Sequence, residues 1–219
     1  MSFSGEKKII KVACVGDSIT YGATSTKTGR TYPAYIQEML GPDYLVMNAG
    51  ISGYSIVSTD EYAYCLTEEY ARAKEFAPDV VLFALGTNDA NPTPSQPYKN
   101  WDDPKNDRKN RFIKSTEALL DSFSEINPDV QIYIIIPASL FKVGDDSWGA
   151  EKWTEGLKTH VIPLLREISE KRELHAVELF DWSIGNKEVF ADGLHPKDEG
   201  YKTLARFIYD SIKDTIKKP

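Results

Sequence analysis

The sequence predicts an α/β protein built on a doubly wound, five-stranded parallel sheet. Three observations lead to this fold class: five short apolar runs, amphipathic helical patterns between them, and a length of 219 residues that suits one domain. The runs are nearly continuous in Val, Ile and Leu, which is typical of strands covered on both faces. Alternating strands and helices form right-handed βαβ units. We therefore expect helices on both faces of one sheet, in a single domain over residues 1–219.

Each of the five apolar runs is expected to form one strand of the sheet. The fifth run is the least apolar, and its assignment rests mainly on its place in the strand–helix alternation. The predicted strands cover residues 9–15, 44–47, 80–85, 130–136 and 174–180.

Three segments between the runs carry apolar residues at three- and four-residue steps, the pattern of an amphipathic helix. They cover residues 109–126, 153–168 and 201–212. Pro163 is expected to break or kink the second helix, because proline lacks an N–H and collides with the preceding turn. We interpret these apolar stripes as surfaces that pack on the sheet rather than as binding sites for a partner.

Composition excludes several classes of function. The formal net charge of −7 argues against a nucleic-acid partner, because such proteins usually carry a basic face. Since no apolar stretch approaches the roughly 18 residues of a membrane span, we expect none. Two cysteines cannot form a disulfide framework, and the chain has no paired His motif, so no metal site is expected.

The start of the chain is polar, and the apolar run that follows leads directly to Ser18. Cleavage there would remove the first strand, so this run is not interpreted as a signal peptide. The chain as given therefore looks cytoplasmic. A secreted or periplasmic protein whose export signal had been removed would look the same.

Ser18 is the strongest candidate for a chemical role, because it follows the first predicted strand in the motif Gly16-Asp17-Ser18. A side chain at the carboxyl end of such a strand lies in the crevice where open α/β sheets bind ligands. A serine hydroxyl can act there as a nucleophile if a base removes its proton. Taken alone, a serine in this position is more often an ordinary capping residue in a turn.

Three further clusters supply groups that a serine nucleophile needs. The glycine-rich segment at residues 48–53 follows the second strand, and the Gly50 N–H is a candidate oxyanion donor. Asn88 follows the third strand, and its amide could also donate to an oxyanion. Asp192 and His195 lie three residues apart, so the carboxylate could orient an imidazole that acts as base. Each cluster alone is also compatible with a turn, a cap or a surface histidine.

Together, and in this order, the four clusters resemble the motifs of the GDSL, or SGNH, hydrolase family. The resemblance spans almost the whole chain and implies a three-layer α/β/α, flavodoxin-like fold with ester hydrolysis that needs no cofactor. It implies that Ser18 is the nucleophile, His195 the base and Asp192 the residue that orients it. It also implies an oxyanion hole formed by the N–H groups of Ser18 and Gly50 and by Asn88.

The substrate is predicted less directly than the chemistry. Asp17, Tyr54 and Trp101 are candidate substrate-binding residues, and the aromatic residues near the predicted site loops could stack on sugar rings. Those aromatic residues are Tyr21, Tyr54, Tyr98, Trp101 and Trp148. Since no long apolar loop suggests a tunnel for a fatty chain, we favour an acetyl or other short acyl ester on a carbohydrate. The alternatives are a lysophospholipase or thioesterase, acyl transfer to another alcohol, and a silent binding module of the same fold.

Overall fold

A computed structural model of the chain describes residues 8–26, 30–92, 100–146 and 149–219. Tyr98 and Trp148 lie outside these ranges. Within them, five parallel strands form one sheet in the order β2-β1-β3-β4-β5. The strands are β1 (Ile10–Gly16), β2 (Tyr44–Gly50), β3 (Val80–Ala84), β4 (Gln131–Ile135) and β5 (His175–Val177).

Eight α-helices lie in the described part of the chain, and none of them is long and apolar enough to cross a membrane. They are α1 (Ser18–Tyr21), α2 (Tyr32–Leu40), α3 (Glu68–Glu75), α4 (Arg108–Ile126), α5 (Ala150–Gly156), α6 (Ile162–Lys171), α7 (Leu179–Ile184) and α8 (Glu199–Ile212). Short 3₁₀ helices cover Tyr64–Leu66, Asn88–Ala90 and Lys187–Val189.

The sheet separates two apolar cores, because successive side chains of a strand point to opposite faces. In β1, Ala13 and Val15 join the core under α3, α4, α5 and α6. Val12 and Cys14 join the other core, under α2 and α8. This arrangement confirms the predicted three-layer fold and explains why the strands contain few polar residues.

The strand order reverses between β1 and β3, which places a crevice at their carboxyl ends. The register aligns Gly16 with Gly50 on one side and with Ala84 on the other. Three strands therefore end at nearly the same level, and the loops that follow them meet above the crevice.

The predicted fifth strand was too long at its carboxyl end. Strand β5 ends at Val177, and α7 begins at Leu179. Leu179 packs into the core under α2 and α8, whereas Phe180 packs into the opposite core. A short apolar run has the same composition in a strand and in a buried helix, so the sequence pattern could not separate them.

Pro163 interrupts the regular α-helical pattern without ending the helix. A π-helical segment, Leu157–Val161, links α5 to α6, and Pro163 lies in the first turn of α6. The N–H of Ile162 reaches back five residues to the carbonyl of Leu157. The wider π turn thus accommodates Pro163, which would disrupt a regular α-helix at this position.

We expect Gly50→Ala to destabilise the protein. A Cβ atom on Gly50 would lie 2.2 Å from the backbone N of Tyr21 and 2.6 Å from the carbonyl carbon of Thr20. Because both atoms belong to the backbone, relief requires movement of α1, at a cost of roughly 1–3 kcal/mol or more for overpacking. Urea unfolding measures the loss.

Gly185→Ala is the matched control, because the nearest atom to its added Cβ is the Trp182 carbonyl oxygen at 3.8 Å. Equal unfolding midpoints for the two variants would contradict the close approach of β2 to α1.

Candidate active site

Ser18 is positioned by the turn between β1 and α1. Asp17 caps α1: its Oδ1 accepts a hydrogen bond from the Ile19 N–H at 3.0 Å. Ser18 is the first residue of the helix, so its own N–H has no acceptor within the helix. The half-buried Ser18 side chain therefore lies at the carboxyl end of β1, with its backbone N–H beside it.

Ser18, His195 and Asp192 form a continuous hydrogen-bonded chain. Ser18 Oγ lies 2.8 Å from His195 Nε2, although 177 positions separate the two residues in sequence. His195 Nδ1 lies 2.8 Å from Asp192 Oδ2. A proton on Nδ1 directed at the carboxylate leaves Nε2 as the acceptor that faces the hydroxyl. The structure thus brings together the three residues predicted for the nucleophile, the base and the orienting acid.

Hydrogen bonds within the loop that carries His195 favour the ionised form of Asp192. Burial raises the pKa of the Asp192 carboxyl, but the N–H groups of His195 and Leu194 and the His195 ring lower it, so the pKa falls below its ordinary value. Asp192 Oδ1 accepts those two backbone N–H groups at 2.6 and 2.9 Å. Phe141 N donates to the Gly193 carbonyl at 2.8 Å, which attaches this loop to the segment after β4.

Asn88 lies in the 3₁₀ turn that follows β3, the strand next to β1. Its Nδ2 donates to the Tyr54 carbonyl at 3.0 Å, and its side chain is mostly buried. An amide nitrogen carries two hydrogens, and the bond to Tyr54 uses one of them. The bond also ties the loop after β2 to the turn after β3.

The structure departs from the prediction at Gly50. The Gly50 N–H donates to Asn48 Oδ1 at 2.9 Å, and the other end of the Asn48 amide donates to the Thr20 carbonyl at 2.8 Å. Gly50 is buried at the end of β2, against α1. Because the Gly50 N–H already donates to Asn48, the structure does not support the oxyanion role predicted for Gly50.

Gly53, the second glycine of this segment, differs from Gly50 in exposure, backbone conformation and hydrogen bonding. It is exposed, its φ of +85° is left-handed, and no described residue accepts a hydrogen bond from its N–H. The next residue is Tyr54, whose carbonyl binds the Asn88 side chain. The sequence signal for this position was the second glycine of the segment at residues 48–53, but composition could not decide between two glycines three residues apart.

Asp17 was predicted to contact substrate, and its burial contradicts that prediction. The residue is only 2% exposed. Its Oδ1 caps α1, and among the described residues its buried Oδ2 has no hydrogen-bond partner. It lines a small cavity whose other walls are mostly apolar, including Ile19, Tyr32 and Leu204. Burial therefore raises the pKa of this carboxyl, against the lowering effect of the Ile19 N–H.

Tyr54 and Trp101 lie beside the Asn88 turn. The Tyr54 ring meets the Tyr62 ring edge-on, with centroids 5.8 Å apart. The Trp101 ring is parallel to the His160 ring at 5.0 Å, and its Nε1–H donates to the Asp89 carbonyl at 3.0 Å. Both side chains thus make contacts within the protein, and their contact with a substrate stays a prediction.

Metal-binding groups do not cluster in residues 8–26, 30–92, 100–146 and 149–219: these ranges contain no group of three or more His, Cys, Asp or Glu side chains placed to hold an ion.

Comparison with known proteins gives a consistent result. The model of the GDSL-like lipase/acylhydrolase family matches residues 14–203. An acetylxylan esterase from Xylanibacter ruminicola is 29% identical to this chain, in a match that covers 93% of it. The chain spans only 43% of the length of that relative.

Two solved structures show the same fold. A carbohydrate acetylesterase family member from Sinorhizobium meliloti superposes with a TM-score of 0.67 at 20% identity, covering 94% of this chain and 98% of that one. A lipase/acylhydrolase from Enterococcus faecalis gives a TM-score of 0.67 at 22% identity, with coverage of 96% and 98%.

We expect Asp17→Asn to stabilise the protein increasingly as pH rises. A raised pKa in the folded state means that the Asp17 contribution to stability is full below the unfolded pKa of about 3.9 and is lost as pH rises through the folded pKa. Asparagine does not titrate and can still accept from the Ile19 N–H. The free energy of unfolding of Asp17→Asn minus that of the parent should therefore be larger at pH 8 than at pH 4.

The control is Asp214→Asn, which changes an exposed carboxylate near the carboxyl end of the chain. The free energy of unfolding of Asp17→Asn minus that of the parent should grow between pH 4 and pH 8. If it does not, the pKa of Asp17 is not raised in the folded protein.

Proposed function

Because this chain belongs to the GDSL-like lipase/acylhydrolase family, we propose that it hydrolyses a short-chain carboxylic ester through an acyl-enzyme on Ser18. The substrate we propose is an acetyl ester on a carbohydrate. The observation that carries the proposal is the 2.8 Å contact between Ser18 Oγ and His195 Nε2.

In the first half-reaction, His195 Nε2 removes the hydroxyl proton as Ser18 Oγ attacks the ester carbonyl carbon. The carbonyl double bond becomes a C–O⁻ single bond in the tetrahedral intermediate. When this intermediate collapses, the bond to the alcohol oxygen breaks, and His195 gives its proton to the leaving alkoxide. Alcohol departs and Ser18 carries the acyl group.

The second half-reaction repeats these steps with water. His195 removes a proton from water, the resulting hydroxyl attacks the acyl carbon, and the bond to Ser18 Oγ breaks. His195 then returns the proton to Ser18, and the carboxylic acid leaves. Asp192 stabilises the imidazolium that exists between these proton transfers, consistent with its lowered pKa.

We assign the oxyanion hole to three donors: the Ser18 N–H, the Gly53 N–H and the Asn88 amide. Such donors act on the negative charge that develops in the transition state, where each removed donor typically costs about 2.7–4 kcal/mol. The Tyr54–Asn88 hydrogen bond supports this assignment, because it brings the backbone next to Gly53 to the side chain of Asn88. Gly53 replaces Gly50 in this proposal, since the Gly50 N–H is bound to Asn48.

Three observations support a short acyl group on a neutral alcohol such as a sugar. The acetylxylan esterase of Xylanibacter ruminicola and the carbohydrate acetylesterase family member of Sinorhizobium meliloti act, by their names, on acetylated carbohydrates. The net charge of −7 disfavours anionic ligands. Tyr21, which is 57% exposed and ends α1, offers an aromatic surface close to Ser18 for a sugar ring.

Asn88→Ala should lower kcat for p-nitrophenyl acetate by roughly 10²–10³-fold, because it removes one oxyanion donor. Ser18→Ala should abolish turnover, since it removes the nucleophile. Asn110→Ala and Ser122→Ala are matched controls on α4, because their side chains form hydrogen bonds with neighbouring residues, Asp107 and Leu119. Full kcat in Asn88→Ala would remove Asn88 from the oxyanion hole.

A fluorophosphonate probe should label the parent protein at Ser18 and leave Ser18→Ala unlabelled. Mass spectrometry locates the adduct. Absence of labelling in the parent would favour a silent binding module of the same fold.

A series of p-nitrophenyl esters from two to twelve acyl carbons should give its highest kcat/KM at the short end. A maximum at eight carbons or more would instead favour a lysophospholipase or thioesterase. Release of acetate from acetylated xylo-oligosaccharides, compared between the parent and Ser18→Ala, tests the carbohydrate itself. Transfer of the acetyl group to an added alcohol would reveal an acyltransferase.

A further inference from the structure

The turn that carries Asn88 is weakly held by its own backbone. Its three internal hydrogen bonds, from the N–H groups of Asp89, Ala90 and Asn91, measure 3.2, 3.4 and 3.3 Å. Backbone hydrogen bonds are usually about 2.9–3.0 Å long, and 3₁₀ geometry is poorer than that of an α-helix. The position of Asn88 therefore depends on contacts from outside the turn.

One such contact comes from Trp153 in α5. Its Nε1–H donates to the Thr87 carbonyl at 2.6 Å, much closer than the Ala90 N–H that shares this acceptor at 3.4 Å. Trp153 is 3% exposed, so its ring has little freedom to move. Gly156 lies on the same side of α5, and a Cβ there would be 3.0 Å from the Ala90 carbonyl oxygen. The helix thus packs directly against the turn.

A second contact comes from Trp101, on the other side of Asn88. Its Nε1–H donates to the Asp89 carbonyl at 3.0 Å. The indole is held by its parallel stack on His160 and by the Arg108 guanidinium, 5.7 Å from the ring centroid. An indole N–H can only donate, so neither tryptophan can reverse its hydrogen bond.

The Asp89 side chain connects this turn to the loop after β2. Its carboxylate accepts the N–H groups of Ile56 and Val57 at 2.9 and 3.3 Å. The fully buried Arg108 bridges Asp89 Oδ1 at 3.3 Å and both oxygens of Asp60 at 2.6 and 2.9 Å. The loop that contains Tyr54 is therefore fixed relative to the turn that contains Asn88.

We propose that Trp101 and Trp153 are positioning residues that hold Asn88 in the oxyanion hole by fixing the carbonyls of Asp89 and Thr87. This inference rests on the proposed function, and it assigns Trp101 a role within the protein instead of stacking on a sugar. Fixing the peptide unit before Asn88 and the one after Asp89 sets the direction of the Asn88 side chain. Preorganised donors of this kind avoid reorganisation during the reaction.

Trp101→Phe is the most direct test, because phenylalanine keeps an aromatic ring on His160 and removes the N–H. We expect kcat for p-nitrophenyl acetate to fall by roughly 10-fold, less than the loss expected for removing Asn88 itself. KM and the thermal unfolding midpoint should stay close to those of the parent. Trp153→Phe should act in the same direction, and Trp101→Phe decides alone if Trp153→Phe does not fold.

A double-mutant cycle shows whether the indole acts through Asn88. In the Asn88→Ala background, adding Trp101→Phe should change kcat by less than about twofold, because the group being positioned is already absent. If the loss of kcat in the double variant equals the product of the losses in the two single variants, Trp101 acts by another route, and the proposal is overturned.

Trp182→Phe is the control, since Trp182 stacks on Phe207 with centroids 4.7 Å apart on α7 and α8. It should leave kcat and KM unchanged. A higher KM with full kcat in Trp101→Phe would place Trp101 on the substrate and overturn the positioning role while leaving the esterase proposal intact. Full kcat in Asn88→Ala would overturn the role of Asn88, on which both proposals depend.

Discussion

The aligned ends of three neighbouring strands are the constraint on which the candidate site depends. Parallel pairing places Gly16 beside Gly50 and beside Ala84, so the loops after β1, β2 and β3 leave the sheet at one level. A shift by one residue in either pair would exchange the side chains that face the two cores and would move the ends of the strands out of alignment. The position of Ser18 relative to Gly53 and Asn88 is therefore set by the same apolar packing that holds the sheet together.

The site separates into reacting groups and groups that hold them. Ser18 and His195 meet directly, and Asp192 and Asn88 complete the set of side chains proposed for the chemistry. Around them, buried charges and indoles form hydrogen bonds with backbone groups. Arg108 illustrates the principle, because its buried guanidinium compensates two carboxylates that would otherwise be costly to remove from water. These buried hydrogen bonds and ion pairs fix the positions of the loops. A preorganised oxyanion hole requires such fixed positions.

Most of the fold was predictable from sequence, because the spacing of apolar residues indicates which side chains are buried. The four longer strands and the helices α4, α6 and α8 form where the sequence has the predicted apolar patterns. The errors occur where a pattern is short or where tertiary contacts change local rules: Leu179 and Phe180 continue an apolar run as a helix, and a π turn accommodates Pro163. The Gly50 assignment failed for a related reason, because the choice between two nearby glycines depends on the Asn48 side chain.

The sequence by itself determined the α/β class, the order of the strands along the chain, and the residue types that can perform serine ester chemistry, because these follow from composition and spacing. Tertiary structure alone decided which groups meet. The hydrogen bond between Ser18 and His195 joins positions 177 residues apart, and the bond from Asn48 to the Thr20 carbonyl and the burial of Asp17 are also consequences of packing. The physical reason is that hydrogen bonding and burial depend on distances between chain segments, which local pattern does not encode.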